Sequence, residues 1–129
     1  GLQYAFKYLT WSECREMVDA GMTIGSHTCS HIKLADLSEN EVRRQLIESK
    51  RMIEKQLGTE CRHFACPWGR AGEDFRHERD VGIAREVGYR SFLTTRRGPN
   101  LKGDSPFSIR RDHIYANWGN YQLRYFLSL

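Results

Sequence analysis

Helix-forming and strand-forming stretches take turns along this chain, and each of the first three helical stretches stops at a glycine just ahead of the next apolar run. That alternation is the pattern of a parallel α/β sheet or barrel, in which helices connect strands running the same way. "TWSE" (Thr10 to Glu13) and "SENE" (Ser38 to Glu41) both read as capping boxes, in which a hydroxyl and a carboxylate satisfy each other's exposed backbone donors. Helices are therefore expected to start near Trp11 and Glu39. The first runs through Met17 and Val18 to Gly21, and the second carries Val42, Leu46, Ile53 and Leu57 on one face and stops at Gly58. A third is expected from about Asp80 to Val87, ending at Gly88, and "YQLRYFLSL" reads as an amphipathic closing helix. The strand-forming runs are "MTIGS" (22–26), "CRHFA" (61–65), "YRSFLTT" (89–95) and "FSIRRDHIY" (107–115).

With 129 residues the chain is one domain or part of one, below the roughly 200–250 residues of a complete eight-unit barrel. No apolar run approaches the roughly 20 residues of a membrane span. The net charge of +4 comes from scattered pairs such as Arg43-Arg44, Lys50-Arg51, Arg96-Arg97 and Arg110-Arg111, which read as solvated faces. Attraction to an anionic polymer, an acidic polysaccharide or a nucleic acid, is the alternative. A nucleic-acid-binding domain is disfavoured because the basic residues gather on no single predicted face. Cys14, Cys29, Cys61 and Cys66 form no C-x-x-C pair and read as buried free thiols. "GLQYAFKYLTW" has neither the basic head nor the apolar core of a signal peptide, which leaves the compartment open.

In parallel α/β folds chemistry collects in loops leaving the carboxyl ends of strands, and both "SHTCSH" and "CPWGR" fall there. If the first segment turns helical after its strand, His27 and His31 lie one turn apart on one face, a spacing at which both imidazoles reach one cation. Zinc needs a third or fourth ligand from elsewhere. Thr28 follows His27, so the H-E-x-x-H protease motif is absent. A structural zinc on His27, His31, Cys61 and Cys66 is disfavoured, since the two cysteines flank a predicted strand where their side chains diverge. "FACPWG" (Phe64 to Gly69) makes a rigid corner that presents a flat ring and a backbone N–H to a cleft; a tight turn around a core tryptophan is the alternative.

Taken together, "HTCSH" resembles the H-[S/T]-x-x-H motif of the NodB-like polysaccharide deacetylases, carbohydrate esterase family four, and "FACPWG" resembles that family's F-A-Y-P-Y-G form. The resemblance covers most of the chain, with the motifs in the family's order. It implies a partial or truncated (β/α) barrel of the NodB type, with residues 1–129 as a single domain. It also implies a divalent metal, most often zinc, with His27 and His31 as two of its ligands and Pro67, Trp68 and Gly69 shaping the substrate groove. The implied reaction is hydrolysis of N-acetyl, or sometimes O-acetyl, groups on a polysaccharide in the bacterial cytoplasm or cell envelope.

Three departures qualify what the resemblance implies. The family's opening Asp-Asp-Gly, source of a third ligand and the general base, has no counterpart, because Glu13, Glu16 and Asp19 all fall on the first predicted helix. The chain is therefore expected to lack the family's first strand and helix and to turn over poorly. The usual arginine before the Pro-aromatic-Gly corner is replaced by Ala65 and Cys66, as in members with the F-A-Y-P-Y-G form. The family's Leu-x-His, whose histidine is the general acid, has only the out-of-register His113 of "SIRRDHI", which with Asp112 could instead close a strand. A non-catalytic carbohydrate-binding or scaffolding remnant is thus the competing reading. An exposed sheet edge would also invite pairing with a second copy of the chain.

Overall fold

Both capping boxes form. In the computed structural model, which describes residues 8–114 and 117–127, the Thr10 backbone N–H donates to the Glu13 carboxylate at 2.7 Å and Ser38 N–H to Glu41 at 2.9 Å. Helix α1 (Trp11–Asp19) and helix α2 (Glu39–Leu57) start from these caps. Helix α3 (His77–Glu86) begins earlier than expected, because its first turn is capped without Ser or Thr: the Arg76 N–H donates to the buried Asp80 carboxylate at 2.7 Å. The expected closing helix forms as α4 (Asn120–Leu127).

Strand β1 (His63–Ala65) and strand β2 (Ser91–Leu93) pair in parallel, with Phe64 opposite Phe92. Single parallel bridges, Ser26 to Phe64 and Ile109 to Leu93, extend the sheet on either side. The segments therefore lie side by side in chain order, and the expected outer strands shrink to one bridge each. Part of 22–26 is consumed in ending α1, where Gly21 N–H reaches Val18 O and Met22 N–H reaches Met17 O, the two bonds of a Schellman motif. At the other edge a 3-10 turn, Pro106–Ser108, occupies the start of 107–115, and Tyr115 lies outside the described residues.

Pleat alternation sends Phe64 and Phe92 to the helical side, where both are fully buried with Phe75, Leu34, Val42 and Leu46. Ring centroids lie 5.2 Å apart for Phe64–Phe92 and 5.0 Å for Phe75–Phe92. Each such ring contributes roughly 1.5–3 kcal/mol through burial. The buried row of α2 holds Val42 and Leu46 as expected, but also Gln45 and Ser49, while Ile53 packs at the margin of the core. All four cysteines are free; Cys61 and Cys66 are buried, whereas Cys29 is exposed and Cys14 half-buried, which corrects the uniform burial expected. Burial pushes the Cys66 thiol up to about 12, so it is a core group. No helix among the described residues is long and apolar enough to cross a membrane.

Two buried carboxylates lock the loops beneath the sheet. Asp80 takes the Arg79 guanidinium at 2.6 Å, and the same guanidinium donates to Leu34 O and Leu37 O, tying α3 to the segment before α2. Asp74 is fully buried and is met by Lys33 Nζ at 2.8 Å and by the Arg70 N–H at 2.9 Å. Burial pushes the Asp74 carboxyl up, but the bonds from Lys33 and Arg70 outweigh it and hold the group below its ordinary 3.8. A depressed folded-state value means stabilisation that is present above the unfolded-state value and lost as pH falls through the folded one. Urea midpoints measured from neutral pH down to about 2 should fall below the ordinary aspartate range. In Asp74→Asn that acid loss should flatten; an unchanged acid limb would remove Asp74 from the account.

Candidate metal and substrate site

Ser26, the edge residue of the sheet, is held to α2 by a buried 2.7 Å hydrogen bond with Ser49. This places His27 at the carboxyl end of the sheet, with its Nδ1 2.6 Å from the Ala65 carbonyl. A carbonyl only accepts, so Nδ1 donates, and Nε2 keeps its lone pair for a ligand. Burial lowers the His27 pKa below 6.5; the bond to Ala65 opposes this, and the charges of Arg111 and His31 reinforce it. The ring is therefore neutral near pH 7, the form that binds metal.

The helical turn expected between His27 and His31 does not form. Residues 27–33 are a loop in which Thr28 (φ 67°) and His31 (φ 49°) take left-handed backbone, folding the chain back on itself. The two rings still meet, edge to face, with centroids 4.9 Å apart. Gln45 secures the turn from α2: its Oε1 accepts from Cys29 N–H at 2.9 Å, and its Nε2 donates to Ser30 Oγ at 2.7 Å. Gln45 was hidden from sequence reasoning because it stands inside an apolar helical stripe as an ordinary polar residue.

The second wall is the corner after β1. Trp68 (φ 56°) and Gly69 (φ 77°) are both left-handed, and Gly69 O accepts from Thr95 N–H at 3.0 Å. Thr95 Oγ1 also donates to Trp68 O. Trp68 is 45% exposed, which removes the core-tryptophan alternative. Its ring lies 4.6 Å from that of His31, and Lys33 Nζ lies 5.8 Å from its centroid. Pro67 is fully buried.

His27, His31 and Trp68 line a cleft of about 660 Å³ together with Arg97, Arg111, Asp112, His113 and Trp118. His113 is exposed at the rim and belongs to no strand. Asp112 is engaged by Arg97 at 2.7 Å, and this bond, opposed by partial burial, holds its carboxyl below the ordinary range. Arg111, expected as half of a solvated arginine pair, is instead half-buried and reaches into the site from the segment after Ile109, its guanidinium donating to Thr94 O and Cys66 O.

As metal ligands the residues fit in part. Two neutral imidazoles, one oriented by a carbonyl behind it, are the donors a zinc ion takes. Among the described residues, however, no group of three or more His, Cys, Asp or Glu side chains converges. Catalytic zinc takes three protein ligands, so His27 and His31 would be two of such a set and a third would have to come from elsewhere.

The family model for polysaccharide deacetylase covers residues 3–92. The chain belongs to the polysaccharide deacetylase family, carbohydrate esterase family four. YxkH of Bacillus subtilis (strain 168), whose name places it among polysaccharide deacetylases, is 24% identical over 107 residues, covering 83% of this chain and 37% of YxkH. The Streptococcus pyogenes deacetylase PplD, solved in complex with acetate, superposes with a TM-score of 0.77 at 26% identity, covering 92% of this chain and 50% of PplD. BA3943 of Bacillus anthracis, a CE4 family pseudoenzyme, is 30% identical with a TM-score of 0.55, covering 64% of this chain and 27% of BA3943. The chain spans half or less of each relative's length, and its fold is a partial NodB-type barrel.

Proposed function

We propose that this chain carries the histidine half of a metal-dependent deacetylase site that hydrolyses acetyl groups, chiefly N-acetyl, from a polysaccharide. The observation that supports it most is the contact between His27 and His31 beside the exposed Trp68, in one cleft at the carboxyl end of the sheet. A divalent ion there, with zinc expected, would lower the pKa of a water and polarise the acetyl carbonyl. Ala65 fixes the tautomer of His27. Trp68 offers its ring face to a sugar, and the corner of Pro67, Trp68 and Gly69 sets the groove wall. The Trp68 backbone N–H is the proposed donor to the developing oxyanion, a role worth about 3–4 kcal/mol for one donor. His113, at the rim, is the proposed acid for the departing amine. Asp112 is the only carboxylate lining this cleft among the described residues and is ion-paired, so the base is proposed to come from elsewhere in the whole protein.

A non-catalytic carbohydrate-binding role is the second reading, favoured by the likeness to the pseudoenzyme BA3943. Zinc content after dialysis against trace zinc, together with acetate release from an N-acetylated oligosaccharide, separates the two. Near-stoichiometric zinc in the parent and none in His27→Ala/His31→Ala is the expected outcome. A parent that holds no zinc, releases no acetate and still binds the oligosaccharide would overturn the deacetylase reading in favour of the second.

A further inference from the structure

Lys33 and Asp74, which the proposed reaction leaves unused, join the two loops that wall the cleft. Lys33 lies just beyond His31 on one loop, and Asp74 lies beyond Trp68 and Gly69 on the other. The Lys33 ammonium meets the fully buried Asp74 carboxylate at 2.8 Å and stands 5.8 Å from the centroid of the Trp68 ring, within the range of a cation–π contact. Asp74 also accepts from the Arg70 N–H at 2.9 Å, which fixes the carboxylate to the corner that carries Trp68. His31 and Trp68 both hold left-handed backbone, at φ 49° and 56°, a conformation that such residues keep where their surroundings over-determine it. Trp68 O is held by Thr95 Oγ1, but the indole itself is 45% exposed and is met by His31 and Lys33. The backbone after Lys33 is secured by other groups: Ala35 N–H donates to Asp74 O at 3.0 Å, and the Arg79 guanidinium donates to Leu34 O and Leu37 O. The Lys33 side chain is thus not needed to hold its own segment in place, and its two partners are a buried anion and an exposed ring.

We propose that Lys33, anchored by Asp74, is a positioning residue that fixes the Trp68 ring against His31 and thereby sets the grip of the cleft on a sugar. A lysine on a surface loop ordinarily samples many rotamers. A buried carboxylate, which is costly to leave unpaired, commits this one to a single place. The ammonium then restrains an indole that is otherwise free to swing, so the aromatic wall and the histidine loop hold one relative position. The inference rests on the proposed function only in taking a sugar as what the indole meets.

The test uses the chelator-stripped, ¹⁵N-labelled protein, so that it does not depend on whether the histidines bind zinc. The Trp68 indole N–H resonance, identified by its loss in Trp68→Phe, is followed for relaxation and for nuclear Overhauser contacts with the His31 ring. In Lys33→Met, which keeps an unbranched side chain and loses the charge, the indole should become more mobile and its contacts with His31 should weaken. Affinity for an N-acetylglucosamine trisaccharide should fall about threefold in the same variant. Asp74→Asn should loosen the indole equally, and Lys33→Met/Asp74→Asn should loosen it no further, because Asp74 acts through Lys33. The double variant strands no buried charge, so its urea midpoint should recover toward the parent's while the indole stays mobile. Arg90→Gln, which removes a cation paired with Glu60 away from the cleft, should leave the indole unchanged. An indole as ordered in Lys33→Met as in the parent, or one whose order returns with stability in the double variant, would overturn the proposal. Should Lys33→Met fail to fold, contacts between the Lys33 ε-methylene and the Trp68 ring in the parent decide, and their absence overturns it. A parent that binds no trisaccharide counts against the proposed function and leaves the indole to decide this inference.

Discussion

Gly69→Ala is expected to lower stability by about 2–5 kcal/mol and to disrupt the aromatic wall of the cleft. Two separate penalties combine. At φ 77° a Cβ costs about 1–2 kcal/mol by itself. That Cβ would also stand 2.9 Å from the Thr95 backbone nitrogen and 3.2 Å from the Cys66 carbonyl oxygen. Neither neighbour can yield, because Thr95 N–H is bonded to Gly69 O, and Cys66 O accepts from Arg111. Relieving such a contact costs about 1–3 kcal/mol more. Gly58 provides the comparison: it ends α2 at φ 68°, and a Cβ there would meet nothing within 4 Å, so Gly58→Ala should show the backbone penalty alone. Thermal melts of the two variants settle the matter. Equal losses would mean that crowding at the corner contributes nothing.

Gln45→Leu should cost about 1–3 kcal/mol and, if the proposed zinc site holds, weaken it by about tenfold or more. Leucine nearly fills the same volume, so the loss falls on polar partners: Cys29 N–H and Ser30 N–H lose their shared acceptor, and Ser30 Oγ loses its donor. These groups belong to the turn that brings His31 back onto His27. Gln45→Glu keeps the acceptor but buries a carboxylate, so it should also destabilise, and less so at acid pH where the carboxyl is protonated. Calorimetric zinc titration alongside urea unfolding separates the effects. A destabilised Gln45→Leu with undiminished zinc affinity would confine Gln45 to holding the fold.

Features governed by neighbours in the chain were legible in the sequence. The capping boxes at Thr10 and Ser38 and the left-handed stop at Gly58 act over a few residues and formed as read. The central strands, His63–Ala65 and Ser91–Leu93, follow from short runs carrying a central phenylalanine between helices. Contacts made across the fold were not legible. The start of α3 depends on a buried aspartate reaching Arg76, and the extent of the outer strands on how α1 ends and how Pro106 turns. The motif identified His27, His31 and Trp68 as partners, but the helix invoked to join the histidines is a loop held from α2. Arg111 was hidden by its surroundings: in "SIRRDHI" nothing separates the guanidinium that enters the cleft from Arg110, which bonds Pro99 O. Only the paths of their side chains distinguish them.

The left-handed backbone at Thr28, His31 and Trp68 sets two selection pressures against each other. Glycine or asparagine adopts that conformation more readily than these residues do, so variants chosen for heat resistance alone would drift toward glycine at all three positions. The same changes would remove one imidazole and the indole and loosen the turn between the histidines. A screen for robustness without a screen for ligand binding would therefore erode the cleft first while leaving the core intact, and a thermostable descendant of this chain should be inspected at these three positions before any other.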